Sequence, residues 1–306
     1  MKIIFAGTPE VALPSLEALL GGDHDVIRVL SRPDAPLGRK RVLTPSPVAA
    51  LAQERGIPVS KATRLDGEVA RELAELDADL GVVVAYGGLI REPLLSAPRL
   101  GWINLHFSLL PAWRGAAPVQ HSLIHGDTVT GADVFQLVAA LDAGEILGEL
   151  THQIHPDATA GDLLAELAVS GAELLARVVD ELAAGTARPR PQEGEPTLAG
   201  KLGLEDGALH FGLPGREVYN RFRGVTPEPG AHTLVDGVRM KILEARLHPE
   251  VSLEPGAIRF LNKKVLVGCA EGALELIRVQ PSGRPGMNAG DWWRGLGTNP
   301  EPEAQR

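Results

Sequence analysis

With 306 residues, 44% hydrophobic and 23% charged, the chain has the length for two domains and the balance of a globular protein. One cysteine, Cys269, excludes an internal disulfide framework and a thiolate metal cluster. The net charge of −9 argues against a uniformly basic nucleic-acid binder, yet the acidity belongs to the first two-thirds; the last third is near neutral with local basic clusters, so a polyanionic partner stays possible. No apolar run reaches membrane-spanning length, and Met1–Ala6 is too short for a secretory signal, so a cytoplasmic location is expected.

Lys2–Ala6 reads as a strand ending at Gly7, with Thr8 as a helix cap and Pro9 in the first turn. Val11, Leu13, Leu16, Leu19 and Leu20 follow at helical spacing. Val26–Leu30 is a second strand, and Ser46-Pro47 opens a helix with Val48, Leu51 and Ala52 inward. Leu80–Ala85 and Trp102–His106 are further buried strands, and Gly161–Ala184 is an Ala/Leu-rich helix. Strands alternating with helices predict a doubly wound α/β fold on a mostly parallel, Rossmann-like sheet over residues 1–185. Residues 186–204 are a Pro/Gly-rich linker. Residues 205–306 hold short strands at Ala231–Leu234, Met240–Leu247, Ile258–Phe260, Lys264–Val267 and Ala273–Val279, which predict a small β-barrel of the oligonucleotide-binding type. The tail after Leu296 is expected to fray.

Chemistry concentrates between Gly101 and Pro118. On a strand, Asn104 and His106 are two apart and point to one face, at the carboxyl end where parallel sheets place ligands. A lone Asn-x-His is more often a hydrogen-bonded strand end, and Asp142 before Ala143-Gly144 is more often a turn residue.

Together these pieces resemble the methionyl-tRNA formyltransferase family. Asn104-Leu-His106-Phe-Ser108-Leu-Leu-Pro111 is similar to the signature of transformylases that use 10-formyltetrahydrofolate, and Leu141-Asp142-Ala-Gly144 matches that superfamily's essential aspartate. Ile4–Glu10 resembles the family's start, shared with sugar formyltransferases, while the basic stretch Arg32–Arg41 followed by Thr44–Val48, Pro227–Ala231, Val279–Arg284, Met287 and Asp291–Gly295 resemble features that select the tRNA enzyme. Ala112, the Gln136-Leu137-Val138 stretch and Val11 depart from the family pattern without touching Asn104, His106 or Asp142.

The resemblance implies formyl transfer from 10-formyltetrahydrofolate to the amino group of methionine on initiator methionyl-tRNA, by a monomer and without a metal. Negative charge grows on the formyl oxygen, so Asn104 and His106 are the implied donors there. His106 would carry the amine proton to the folate N10, with Asp142 fixing the imidazole tautomer or holding a water. Ser108, Leu109, Leu110 and Pro111, with Tyr86, Gly87, Gly88 and Leu89, are the implied folate contacts, and Leu110–Pro111 is expected to be cis. Arg32, Arg39, Lys40 and Arg41 are the implied tRNA contacts, on a loop that exposes its charges and is mobile without tRNA. Arg221, Arg223, Lys263 and Lys264 are candidate phosphate partners in the barrel. His121 and His125, four apart, lack a following Glu and a third ligand, so a zinc site is not expected. The competing readings are a nucleotide amino-sugar formyltransferase and a catalytically silent tRNA-binding protein on the same scaffold.

Overall fold

The computed structural model describes residues 1–38, 40–65, 67–297 and 301–305, the Glu68 side chain excepted. The chain forms two compact units. One comprises Met1–Pro118, Val129–Gln153 and Leu164–Ala199; the other comprises Val119–Thr128, Ile154–Leu163 and Gly200–Arg306.

In chain order, β1 (Lys2–Gly7), α1 (Leu13–Gly21) and β2 (Asp25–Ser31) are followed by a two-stranded hairpin of β3 (Ala35–Leu37) and β4 (Val42–Thr44). Then come α2 (Pro47–Glu54), β5 (Val59–Lys61), α3 (Gly67–Ala74), β6 (Leu80–Val84) and β7 (Trp102–His106). A short β8 (Arg114–Gly115), α4 (Pro118–His125), β9 (Val129–Gln136), β10 (Ile146–Gln153), α5 (Ala160–Ala184) and β11 (Leu198–Ala199) follow. The main sheet of the first unit runs β10-β9-β7-β6-β1-β2-β5. Its β7-to-β5 portion is parallel, whereas β9 and β10 are antiparallel additions at one edge. The doubly wound sheet agrees with the α–β alternation of the sequence. The antiparallel edge is not visible there, because Val129–Gln136 contains a Gly and an Asp that dilute the strand pattern.

Local chemistry explains the elements. Apolar β1 and β6 are almost wholly buried, as strands covered on both faces must be. The Ser46 hydroxyl accepts from the Ala49 amide at 3.1 Å and caps α2, with Pro47 in its first turn. Thr8 does not cap a helix: its hydroxyl donates to the Tyr86 carbonyl at 2.9 Å, tying the end of β1 to the segment after β6. The Trp102 indole donates to the Leu94 carbonyl at 2.8 Å and lies over Gly81. A Cβ there would fall 2.1 Å from the ring, so only glycine fits.

The predicted linker is structured. Leu198 and Ala199 of β11 pair with Arg114 and Gly115 of β8, and Arg190 bridges Ile146. In the second unit, α6 (Gly215–Gly224) precedes an antiparallel curled sheet. Its strands are β12 (His232–Val235), β13 (Val238–His248), β14 (Ile258–Leu261), β15 (Lys264–Gly268) and β16 (Ala273–Pro281), with β17 (Met287–Asn288) on β16 and a last helix, α7 (Ala289–Arg294). Phe211, Phe222, Ile258, Leu274 and Val279 lie at the centre of its core. The tail does not fray over 301–305. Ala304 is buried and bridges Val235, Glu303 bridges Ala257, and the Ile258 amide donates to Pro302. This segment therefore spans the gap between β12 and the start of β14, satisfying edge groups that would otherwise face water.

Candidate functional site

Ligands bind α/β sheets at the carboxyl ends of the strands, near the point where strand order reverses. Here that reversal lies at β1 and β6, and a cavity of about 550 Å³ opens beside it. Val83 and Asn104 line it from the strands, Gly88–Glu92 from the segment after β6, and Leu137–Asp142 from the turn after β9. Its size suits a small organic ligand. Asn104 and Asp142, far apart in sequence, thus face one space.

His106 follows Asn104 by two on β7, on the same face, and is buried. Its Nε2 lies 2.9 Å from the Trp113 carbonyl, which can only accept, so Nε2 carries the proton and Nδ1 keeps its lone pair. Burial drives the imidazole below its ordinary pKa, while the Asp142 charge and the Trp113 bond pull it back up. Burial dominates, so the ring is a neutral base at pH 7. Trp113 therefore sets the tautomer, a task that the sequence suggests for Asp142.

Asp142 is held from two sides. Its Oδ2 accepts from the Gly115 amide at 2.8 Å. Its carbonyl, with that of Gly144, accepts from the Gln192 side chain at 2.8 and 2.9 Å. Gln192 is in turn gripped by the Arg114 guanidinium at 2.6 Å. Asp142 has φ +44°, a left-handed conformation that Asp tolerates in turns, and Trp113 has φ +61°, which a bulky aromatic holds only when the surroundings impose it. Gly144 is required beside them, since a Cβ would meet the Gln136 carbonyl at 1.7 Å. The sequence does not single out Gln192 or Arg114: a Gln in a Pro-rich linker carries no local signal.

Of the other expected ligand contacts, Gly88 and Leu89 line the cavity. Gly87 lies beside them in the chain at φ +76°. Tyr86 is buried, with its hydroxyl donating to Ala62 at 3.3 Å, and is not among the lining residues. Ser108, Leu109, Leu110 and Pro111 form the turn after His106. The Ser108 hydroxyl donates to Ala112 at 2.6 Å, the Leu110 amide to Asp133 at 2.6 Å, and Leu110–Pro111 is cis. No group of three or more His, Cys, Asp or Glu among the described residues could hold a metal.

Within the Arg32–Thr44 stretch, Ala35–Leu37 pairs antiparallel with Val42–Thr44. Lys40 and Arg41 are exposed near its turn; Arg39 lies outside the described residues. Leu37, Val42 and Leu43 are 66%, 60% and 68% exposed, so apolar side chains flank the cations. Arg32 is half-buried at the base and donates to the Thr63 carbonyl at 2.5 Å. In the second unit, Arg223 is buried against Ala158 and Asn220, Arg221 bonds Asp206, and Lys264 pairs with Glu275. Lys263 sits in the exposed β14–β15 turn.

A formyl transferase model matches residues 1–179, and a formyl transferase C-terminal domain model matches 201–297. This chain belongs to the formyl transferase family. It is 58% identical to the methionyl-tRNA formyltransferase of Leifsonia xyli subsp. xyli, over 97% of this chain and 98% of that one. It is 50% identical to that of Mycobacterium ulcerans, over 99% and 100%. Among solved structures, an N-formyltransferase from Helicobacter canadensis in complex with folinic acid and dTDP-3-aminofucose aligns with a TM-score of 0.71 at 16% identity, over 92% of this chain and 99% of that one. Methionyl-tRNA formyltransferase from Clostridium thermocellum aligns at 0.57 and 15%, over 80% and 93%. These two likenesses speak to the formyl transferase fold alone.

Proposed function

We propose that this formyl transferase moves a formyl group from 10-formyltetrahydrofolate to the α-amino group of methionine on initiator methionyl-tRNA. Identity of 50–58% to methionyl-tRNA formyltransferases along nearly the whole chain carries the reading. The cavity fits the donor. Its volume suits a pteridine, its Gly88–Glu92 wall offers backbone groups to the ring edges, and Asn104 reaches it from the sheet.

The folate supplies a formyl carbon already activated on N10. The chain's residues then have three tasks. The Asn104 amide donates to the formyl oxygen as negative charge grows there, worth roughly 100- to 1,000-fold. The Nδ1 lone pair of His106 takes the proton of the attacking amine and returns it to the leaving nitrogen, worth about 100- to 10,000-fold. Asp142, fixed by Gly115 and Gln192, stabilises the imidazolium that exists between those transfers. Gly87–Leu89 and the Ser108–Pro111 turn are the folate contacts in this reading, and Tyr86 supports Gly88 from beneath through its buried ring.

Arg32, Arg39, Lys40 and Arg41 meet tRNA phosphates, and the C-terminal sheet domain supplies further tRNA contacts. In this reading the protein works as a monomer in the cytoplasm, where charged tRNA and reduced folate coexist. No helix among the described residues is long and apolar enough to cross a membrane.

The test is an assay with 10-formyltetrahydrofolate and three acceptors: initiator methionyl-tRNA, elongator methionyl-tRNA and an amino-sugar nucleotide. Formylation of the initiator species alone is expected. Formylation of the sugar with methionyl-tRNA untouched would overturn the reading.

A further inference from the structure

One buried carboxyl group beside the site has no part in the chemistry above. Asp133 lies on β9 directly opposite His106 of β7 and directly opposite Glu149 of β10. Directly paired residues share a face, so three titratable side chains stand in a row across three strands. Asp133 is fully buried. Its Oδ2 accepts from the Leu110 amide at 2.6 Å, while its Oδ1 is enclosed without a hydrogen-bond partner among the described residues. Burial pushes the carboxyl up to about 7; the Leu110 bond opposes the rise, Glu149 adds to it, and Arg190, ion-paired to Glu149, opposes it.

A half-satisfied buried carboxyl is costly, and a strand position facing a core is better served by a β-branched residue. What the group gains is a hold on one amide. Leu110 is the midpoint of a turn that begins at His106 and returns at Trp113, whose carbonyl fixes the His106 ring. Ser108, inside the same turn, is tied to Ala112. Anchoring Leu110 to the sheet therefore fixes both the Ser108–Pro111 turn and the histidine's tautomer-setting acceptor.

We propose that Asp133 is a positioning residue, whose carboxylate holds the Leu110 amide and so sets the 107–113 turn for folate binding and for His106. The proposal rests on the formyl-transfer reading for its kinetic readout. An ionised acceptor holds an N–H about twice as strongly as a neutral one, so the hold tightens as Asp133 loses its proton near neutrality. The groups facing it are His106 from β7, Glu149 from β10 and Arg190 from the β11-side segment. Replacement by Asn keeps a carbonyl oxygen for Leu110 and removes the ionisation; replacement by Ala removes the acceptor.

The experiment compares the full chain with Asp133→Asn and Asp133→Ala between pH 5.5 and 8.5, at saturating methionyl-tRNA. Folate KM of the wild type is expected to fall about 3- to 10-fold as pH rises through about 7. Asp133→Asn should hold a flat KM near the wild type's low-pH value, with kcat within about threefold. Asp133→Ala should raise KM by about 10-fold throughout and lower kcat as well.

A thermal melt supplies a readout independent of catalysis. The folded-state carboxyl titrates at about 7 and the unfolded one near 3.8, so the native state binds more protons between them and wild-type stability falls as pH rises through that window. The Tm advantage of Asp133→Asn should therefore open between about pH 4 and 7 and stay level above. A purely structural Asp133 would show this Tm pattern with identical KM–pH curves in wild type and Asn variant, and that result overturns the proposal. So does an Ala variant with wild-type KM and kcat; if it does not fold, the Asn comparison decides alone. A wild type that does not formylate methionyl-tRNA defeats the functional reading instead, and the same pH series of tetrahydrofolate binding then judges Asp133.

Discussion

The carboxyl end of β7 and the β3–β4 hairpin both concentrate charged side chains, but on opposite physical terms. Around β7, His106 is buried and Asp142 half-buried, each is held by backbone partners, and Asp142 and Trp113 sit at positive φ. On the hairpin, Lys40 and Arg41 stand in water beside exposed Leu37, Val42 and Leu43. Burial makes charge strong, directional and pH-dependent; exposure makes it weak, additive and salt-dependent. Such a division suits an enzyme that performs small-molecule chemistry on the end of a large polyanion.

Mutations should divide along the same line. The largest effect belongs to the set at the end of β7: Asn104→Ala, His106→Ala and Asp142→Ala should each lower kcat by about 100-fold or more in single-turnover formylation. Double variants should fall far short of the product of the single losses, because the groups serve one transition state. A His106→Ala protein with near-normal turnover would remove the proton-transfer assignment.

Replacing Arg39, Lys40 and Arg41 together by Ala should weaken tRNA affinity about 10-fold at moderate salt and leave folate binding intact. The log–log salt slope should drop by about one for each phosphate no longer neutralised. Trypsin cleavage of the wild type in the hairpin turn should slow on adding initiator tRNA and not on adding folate. If affinity and slope stay unchanged, the hairpin is a solvated surface element and the comparison fails on that side.

A smaller effect refines the buried side. Gln192→Ala removes its two bonds to the Asp142 and Gly144 carbonyls, leaving the Gly115 bond, and should lower kcat by about 10-fold while tRNA affinity is preserved. Equal losses in both quantities would mean that the linker acts on binding, not on Asp142.

These pairs also mark what the sequence could reveal. The main sheet was legible because β1, β6 and β7 are apolar runs bounded by turn residues, and Ser46-Pro47 announces α2 by its own chemistry. Asn104 and His106 were legible through the two-residue period of a strand, and Asp142 through its turn and the family resemblance. Non-local pairing was not legible. Gln192 reaches back 50 residues to Asp142, and the tail reaches back to pair Glu303 with Ala257 and closes a strand gap; composition alone suggested a linker and a fraying end. Asp133 reads as an ordinary polar strand position until register places it opposite His106. Thr8 misled for a related reason: its hydroxyl had a tertiary partner, Tyr86, that outcompeted the local cap.

The central claim is that a buried, neutral His106 moves the amine proton, and its most direct test is kcat against pH at saturating folate and methionyl-tRNA. Burial outweighs Asp142 and Trp113 in setting the imidazole pKa below its ordinary value. The neutral form is the base, so kcat should be low in acid, rise through one ionisation below the usual 6.5 and stay level through neutrality. A midpoint above 6.5, or a rate that falls as the histidine loses its proton, would contradict the account.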